Sequence, residues 1–315
     1  MTPAGGASGG RMRSAGSANG ILTLSMLLWA AGFPSAEILL ETWDPLALTT
    51  ARLALAVSVL LTVWALQEGL RAPMSAHWGR GVAVGGIGFG IGAFLMLAGQ
   101  ALSDPISVAI IATTMPIVGA ALEVFLDGRR LTWPLTLGIA LALAGGVAAS
   151  GAQMTDGAYG VGALLALLSV VAFAWASRAA VRELAAQSPM GRTTITLAGG
   201  LVFCSILFSV ATWTGFSGPP SAPLDQIGWA HLALYALGAM ALSQLFWLIG
   251  VARLGIALAA IYINAAPFFV MGLFSLLGAD WRWDQAAGAA LVALGALIAQ
   301  RPSRAPAEDR SAASP

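Results

Sequence analysis

Apolar runs long enough to cross a bilayer recur ten times along the chain, at about 21–40, 46–66, 79–99, 105–126, 133–152, 159–177, 193–214, 229–250, 255–278 and 284–300. A hydrocarbon core of about 30 Å takes roughly 20 helical residues. A helix also satisfies its own backbone hydrogen bonds where no water can. The pattern therefore predicts an all-α polytopic membrane protein with ten transmembrane helices. Links between runs are short, and the longest (GFSGPPSAPLDQIG, 215–228) is proline-rich. Residues 1–20 and 301–315 are small, polar and lightly basic, which predicts disordered tails with too little apolar surface to fold. The first run follows Arg11 and Arg13 as a signal peptide would. It stays apolar to Leu40, however, beyond the roughly 7–15 residues of a signal core, and reads as the first span.

Charge changes the picture in two ways. Only 9% of the 315 residues are charged while 58% are apolar, against about 25% charged in soluble domains. This excludes an ordinary soluble enzyme, and a net charge of +1 gives no nucleic-acid signal. The positions of the charges then orient the bundle. With a cytoplasmic N-terminus and ten alternating spans, thirteen of the fifteen Arg fall on the cytoplasmic side, Arg282 outside and Arg52 within span 2. Positive-inside bias of that size places both termini in the cytoplasm and predicts a multi-pass protein of a bacterial inner membrane.

Absences narrow the chemistry. There is no Lys, hence no G-x-x-x-x-G-K-[ST] loop to cradle a nucleotide. Cys204 is alone, and His77 and His231 are far apart in sequence, so no metal set, catalytic triad or cofactor is expected.

The two halves echo one another. Pro116 and Pro267 align residues 94–116 (FLMLAGQALSDPISVAIIATTMP) with 245–267 (LFWLIGVARLGIALAAIYINAAP), placing Gly99 on Gly250 and Ala109 on Ala260. Each half then passes through a polar turn into a Gly- and Ala-rich final helix. The repeats are 21–152 and 153–300. Five spans per half is odd, so the second copy enters from the opposite side. Two inverted five-helix repeats follow, an arrangement that lends alternating access its two states.

Few ionisable groups lie inside spans, where a charge costs at least about 2.5–3.5 kcal/mol on insertion scales. Glu37 lies near the outer end of span 1 and Arg52 about two turns into span 2, so a charge pair at similar depth is expected. It reads as a static clamp, as a proton-coupling site, or as side chains snorkelling to the outer surface. Neutral polar residues near mid-depth are Gln244, Tyr262, Asn264, Thr113 and Thr114. Each reads as interhelical glue or as cavity lining. Asn264 is the foremost, because it precedes Pro267 by one turn and that proline frees the carbonyl of Ile263. Pro116 and Pro267 are thus predicted helix breaks. The glycines of 81–94 (GVAVGGIGFGIGAF) form small-x-x-x-small faces for close packing.

Several motifs occur in an ordered set: Trp29 with Phe33-Pro34 in span 1, Pro45 with Arg52 into span 2, mid-helix prolines in spans 4 and 9, and Ala174-Trp175-Ala176 before Arg178 in span 6. In these the chain resembles the EamA type of the drug/metabolite transporter superfamily, across nearly all residues between the tails. It departs from that pattern where a Gly-Glu pair usually follows spans 4 and 9; here the turns read Gly128-Arg129 and Gly278-Ala279-Asp280. The resemblance implies a cavity between spans 1, 3, 4, 6, 8 and 9, with Trp29, Phe94, Trp175 and Trp247 as walls around the polar set. It also implies secondary export or exchange of small organic metabolites such as amino acids or drug-like amphiphiles. The expected partners are a small-molecule substrate and lipid, with a coupling proton and a homodimer left open. A membrane scaffold and an intramembrane enzyme remain as other classes.

Overall fold

A computed structural model describes residues 6–128, 132–150, 157–254, 259 and 262–299. We number its principal helices α1 (Gly6–Leu40), α2 (Pro45–Glu68), α3 (Trp78–Leu102), α4 (Pro105–Leu126), α5 (Trp133–Ser150), α6 (Gly157–Glu183), α7 (Pro189–Trp213), α8 (Gln226–Arg253), α9 (Ala266–Leu276) and α10 (Trp283–Ala299). Among the described residues, seven helical stretches are long and apolar enough to cross a membrane, and α9 and α10 are shorter apolar helices. No strand occurs among the described residues.

The helices start where local chemistry makes starting cheap. Asp44 precedes Pro45 and accepts from Leu46 N–H at 2.9 Å. Asp104 precedes Pro105 and accepts from Ser107 N–H at 2.9 Å. Ser188 precedes Pro189 and accepts from Gly191 N–H at 3.0 Å. In each case the side chain satisfies an otherwise orphaned N–H, and proline fills the position that needs no donor. Asp44 also accepts from Ser217 Oγ at 2.8 Å, tying the loop after α7 to the start of α2. Asp44→Ala should lower stability by about 1 kcal/mol. In detergent that is a few degrees in melting temperature, and an unchanged melting curve would show that the cap contributes nothing.

Residues 1–20 read as a disordered tail, yet α1 is helical from Gly6. No proline lies between Pro3 and Pro34, and extending an existing helix costs far less than nucleating one. The expected tail at 301–315 lies outside the described residues.

Helices pack so that pairing each one with the helix five further on maps the largest contacts onto one another. α3 packs on α6 as α8 packs on α1; α7 packs on α3 as α2 packs on α8; α1 packs on α9 as α6 packs on α4. The pairs α2–α7 and α5–α10 map onto themselves. Local distortions repeat in the same way. α3 contains a π-helical stretch at Gly85–Ile91 and α8 one at Leu234–Leu242. α4 is interrupted at Thr113–Thr114, and the segment leading into α9 at Asn264–Ala265. Pro116 and Pro267 explain these breaks, since each removes a donor and crowds the carbonyl four residues back. The chain answers with tighter i→i−3 bonds: Thr113 N–H to Ile110 at 3.0 Å, Thr114 N–H to Ile111 at 3.0 Å and Ala265 N–H to Tyr262 at 3.1 Å.

At the α5–α10 crossing a Cβ on Gly145 would lie 2.8 Å from the Gly288 carbonyl, and one on Gly295 would lie 2.7 Å from the Gly138 carbonyl. Only glycine lets these two backbones approach so closely.

Candidate substrate cavity

Two adjoining chambers occupy the middle of the bundle. The first lies between α1, α3, α4, α6, α8 and the residues leading into α9. Met26, Ala112, Met115, Val170, Ser177, Ser243, Trp247 and Ile263 line it. The second lies between α1, α2, α3, α6, α7 and α8, with Gly32, Phe33, Arg52, Leu97, Gln100, Leu197, Tyr235, Ala239 and Met240 in its walls. Trp29, Phe89, Met96, Phe173 and Gln244 line both. The cavity volumes are about 80 Å³ and about 50 Å³. A water needs roughly 10–15 Å³ of such space, so the first chamber alone accommodates several waters or a small organic molecule.

Helical periodicity explains the lining. Phe89, Ala93, Met96 and Gln100 recur on one face of α3, and Val170, Phe173 and Ser177 on one face of α6, at spacings of three and four. Trp29 stands edge-on to Phe33, ring centroids 5.1 Å apart, and Phe89 lies 5.6 Å from Phe173. Ser25 Oγ donates to the Ser243 carbonyl at 2.7 Å, fixing α1 to α8 beside the first chamber. Gln244, between the chambers, has a buried Nε2 without a protein partner.

Of the expected lining residues, Trp29, Gln244 and Trp247 face the cavity. The others do not. Phe94 is half-buried and turned about 100° per residue away from the Phe89–Met96 face. Trp175 is half-buried against the core cluster that includes Ala176 and Ala179, and it does not line either chamber. Thr113 is fully buried and Thr114 half-buried; their hydroxyls donate to Ile110 and Ile111 carbonyls at 2.6 and 2.7 Å, closing the turn beside Pro116. Ala112 and Met115, on either side, reach the cavity instead. Tyr262 packs against the cluster of Leu22, Met26 and Trp247. Asn264 is buried, and neither its Oδ1 nor its Nδ2 has a hydrogen-bond partner. Its neighbour Ile263 lines the chamber, and Asn264 does not.

The expected charge pair is not formed. Glu37 is exposed and accepts from Gln100 Nε2 at 3.2 Å. Arg52 is buried, with its guanidinium carbon 4.2 Å from the centre of the Tyr235 ring. The reason is topological: α1 packs chiefly on α8 and α9, and α2 on α7 and α8, so the two helices of this hairpin barely touch. Sequence reading also missed Tyr235, Gln100, Phe89 and Phe173, although the periodic face through Phe89, Met96 and Gln100 was there to be read.

Apolar helices packed around a central cavity with amides and aromatic walls define a helical membrane transporter. The profile of the EamA-like transporter family matches residues 17–150 and again 160–300. The chain therefore belongs to that family, within the drug/metabolite transporter superfamily, and each match corresponds to one repeat. It is similar to the uncharacterized transporter YyaM of Bacillus subtilis (strain 168), with 27% identity over 283 residues, 88% of this chain and 91% of that protein. A solved crystal structure of another protein shares the fold with a TM-score of 0.65 at 22% identity, covering 90% of this chain and 96% of that one.

Proposed function

We propose that this protein is a secondary transporter that exports or exchanges small organic metabolites, amino acids or drug-like amphiphiles among them, across a bacterial inner membrane. The observation that carries this reading is the central pair of chambers, sited where corresponding helices of the two repeats meet and joined at an unpartnered amide, Gln244. A polar group buried without a protein partner is costly unless a solute or water meets it. In this reading ten helices cross the membrane as inverted repeats, with both termini cytoplasmic. Rocking of one repeat against the other opens the chambers to each side in turn. The Arg asymmetry supports that orientation. Cysteines placed at Ser14 and Ser311 should then react only with permeant reagents in intact cells, and one at Ser221 with impermeant reagents. Labelling of the tails from outside would reverse the assignment.

The function is tested with purified protein in liposomes. Without ATP, an internal pool of solute should drive counterflow of labelled solute above empty-liposome controls. Strict dependence on ATP, or flux equal to the controls across a panel of amino acids and amphiphiles, rejects secondary transport. Driving force is tested with Glu37→Gln. Loss of pH-driven uptake with exchange spared assigns a coupled proton to Glu37, whereas unchanged pH-driven uptake removes Glu37 from coupling.

A further inference from the structure

The second chamber holds a cation, and no Asp or Glu among the described residues lines its walls. Arg52 is only 7% exposed, yet it lines that chamber. One Nη donates to the Ala93 carbonyl at 3.4 Å, its guanidinium lies over the Tyr235 ring, and its Nε has no hydrogen-bond partner. No Asp or Glu lines either chamber, and Arg52 is the one charged side chain in their walls among the described residues. Glu37, the nearest acidic residue by sequence argument, is exposed and bonded to Gln100 instead. A neutral carbonyl and an aromatic face orient a guanidinium but leave its positive charge uncompensated. Charges inside a bundle ordinarily face a partner or a solute path, and this one faces the cavity.

We propose that Arg52 is the receptor for an anionic head group, and that the solute is a small monocarboxylate with an apolar body and no ammonium group. This deepens the transporter reading and rests on it. The planar fork of Arg52 suits two carboxylate oxygens. Gln244, where the chambers join, offers a further unpartnered N–H donor. Beyond these, the shared walls are Trp29, Phe89, Met96 and Phe173, which suit a flat or aliphatic body. A zwitterion would bring an ammonium into a chamber with no carboxylate to receive it, so net-anionic acids are preferred over amino acids.

The test is a three-solute comparison on purified protein in detergent, where membrane leakage of organic acids plays no part. The solutes are 3-phenylpropanoate, its uncharged amide and phenylalanine. Saturable rises in melting temperature give the dissociation constants. The acid should bind at least ten-fold more tightly than the amide or phenylalanine, and in Arg52→Gln that preference should fall below two-fold. Arg52→Lys, which keeps the charge but loses the fork, should fall between. Should Arg52→Gln not fold, the wild-type comparison and Arg52→Lys decide the matter. Equal binding of acid and amide, tighter binding of phenylalanine, or preference retained without Arg52 overturns the proposal. Binding of the amide alone would do so while leaving solute transport standing. Binding of none of the three overturns it as well, and liposome counterflow then decides whether the transporter reading falls with it.

Discussion

Replacing Gly85 by valine is expected to destabilise the protein by about 3 kcal/mol or more and to remove most of the monodisperse material in detergent. A Cβ at this position in α3 would run into the Thr196 backbone carbonyl of α7. Overpacking costs about 1–3 kcal/mol where side chains can give way. Here the obstacle is backbone, so the whole α3–α7 contact has to open. That contact holds the π-helical stretch Gly85–Ile91, and with it Phe89, which lines both chambers. Gly272→Val in α9 is the matched control, since nothing lies within 4 Å of its Cβ position. Thermal unfolding followed by size-exclusion chromatography reads both. A Gly85→Val protein that melts with the wild type would mean the two helices are not held at this distance.

Gln244→Leu is expected to raise the solute KM at least ten-fold, about 1.4 kcal/mol, while leaving solute-free stability unchanged or slightly improved. The substitution keeps much of the volume and removes a buried donor that no protein group meets. Loss of a donor used only by the solute appears in affinity, and relief of an unmet donor appears in folding. Asn264→Leu makes the informative contrast. Its amide is equally unpartnered, but it lies outside the chambers, so stability should respond and KM should not. Flux in liposomes together with melting curves separates the two. The opposite pattern, with Asn264 controlling KM and Gln244 silent, would move the site from the α8 wall to the break before α9.

The two amides show what kind of information was missing from the chain. Both lie in apolar runs near the middle of the membrane, and both read as site or glue on composition alone. Which of them faces the cavity depends on how far each helix is rotated about its own axis. Neighbours decide that rotation, because apolar residues occupy every side of a membrane-embedded helix and leave no polar stripe to reveal its face. Phe94 and Trp175 fall outside the lining for this reason: each sits one or two residues off a lining face whose members are mostly apolar.

The sequence by itself determined the elements and their order. Run length set the helices, Asp-Pro and Ser-Pro pairs set the starts of α2, α4 and α7, and Pro116 with Pro267 set two equivalent breaks and the register of the repeat. These are local consequences of backbone hydrogen bonding, and they need no partner to take effect. Tertiary structure alone decided which charges and amides meet. Glu37 and Arg52 are fifteen positions apart across a tight hairpin, which argued for a pair. Yet α1 and α2 pack chiefly on different helices of the opposite repeat, which leaves Glu37 bonded to Gln100 on α3 of its own repeat and sets Arg52 over Tyr235 of α8. Interlocking of the repeats across the bundle outweighs adjacency along the chain, because packed surface accumulates along whole helices while a hairpin fixes only their ends.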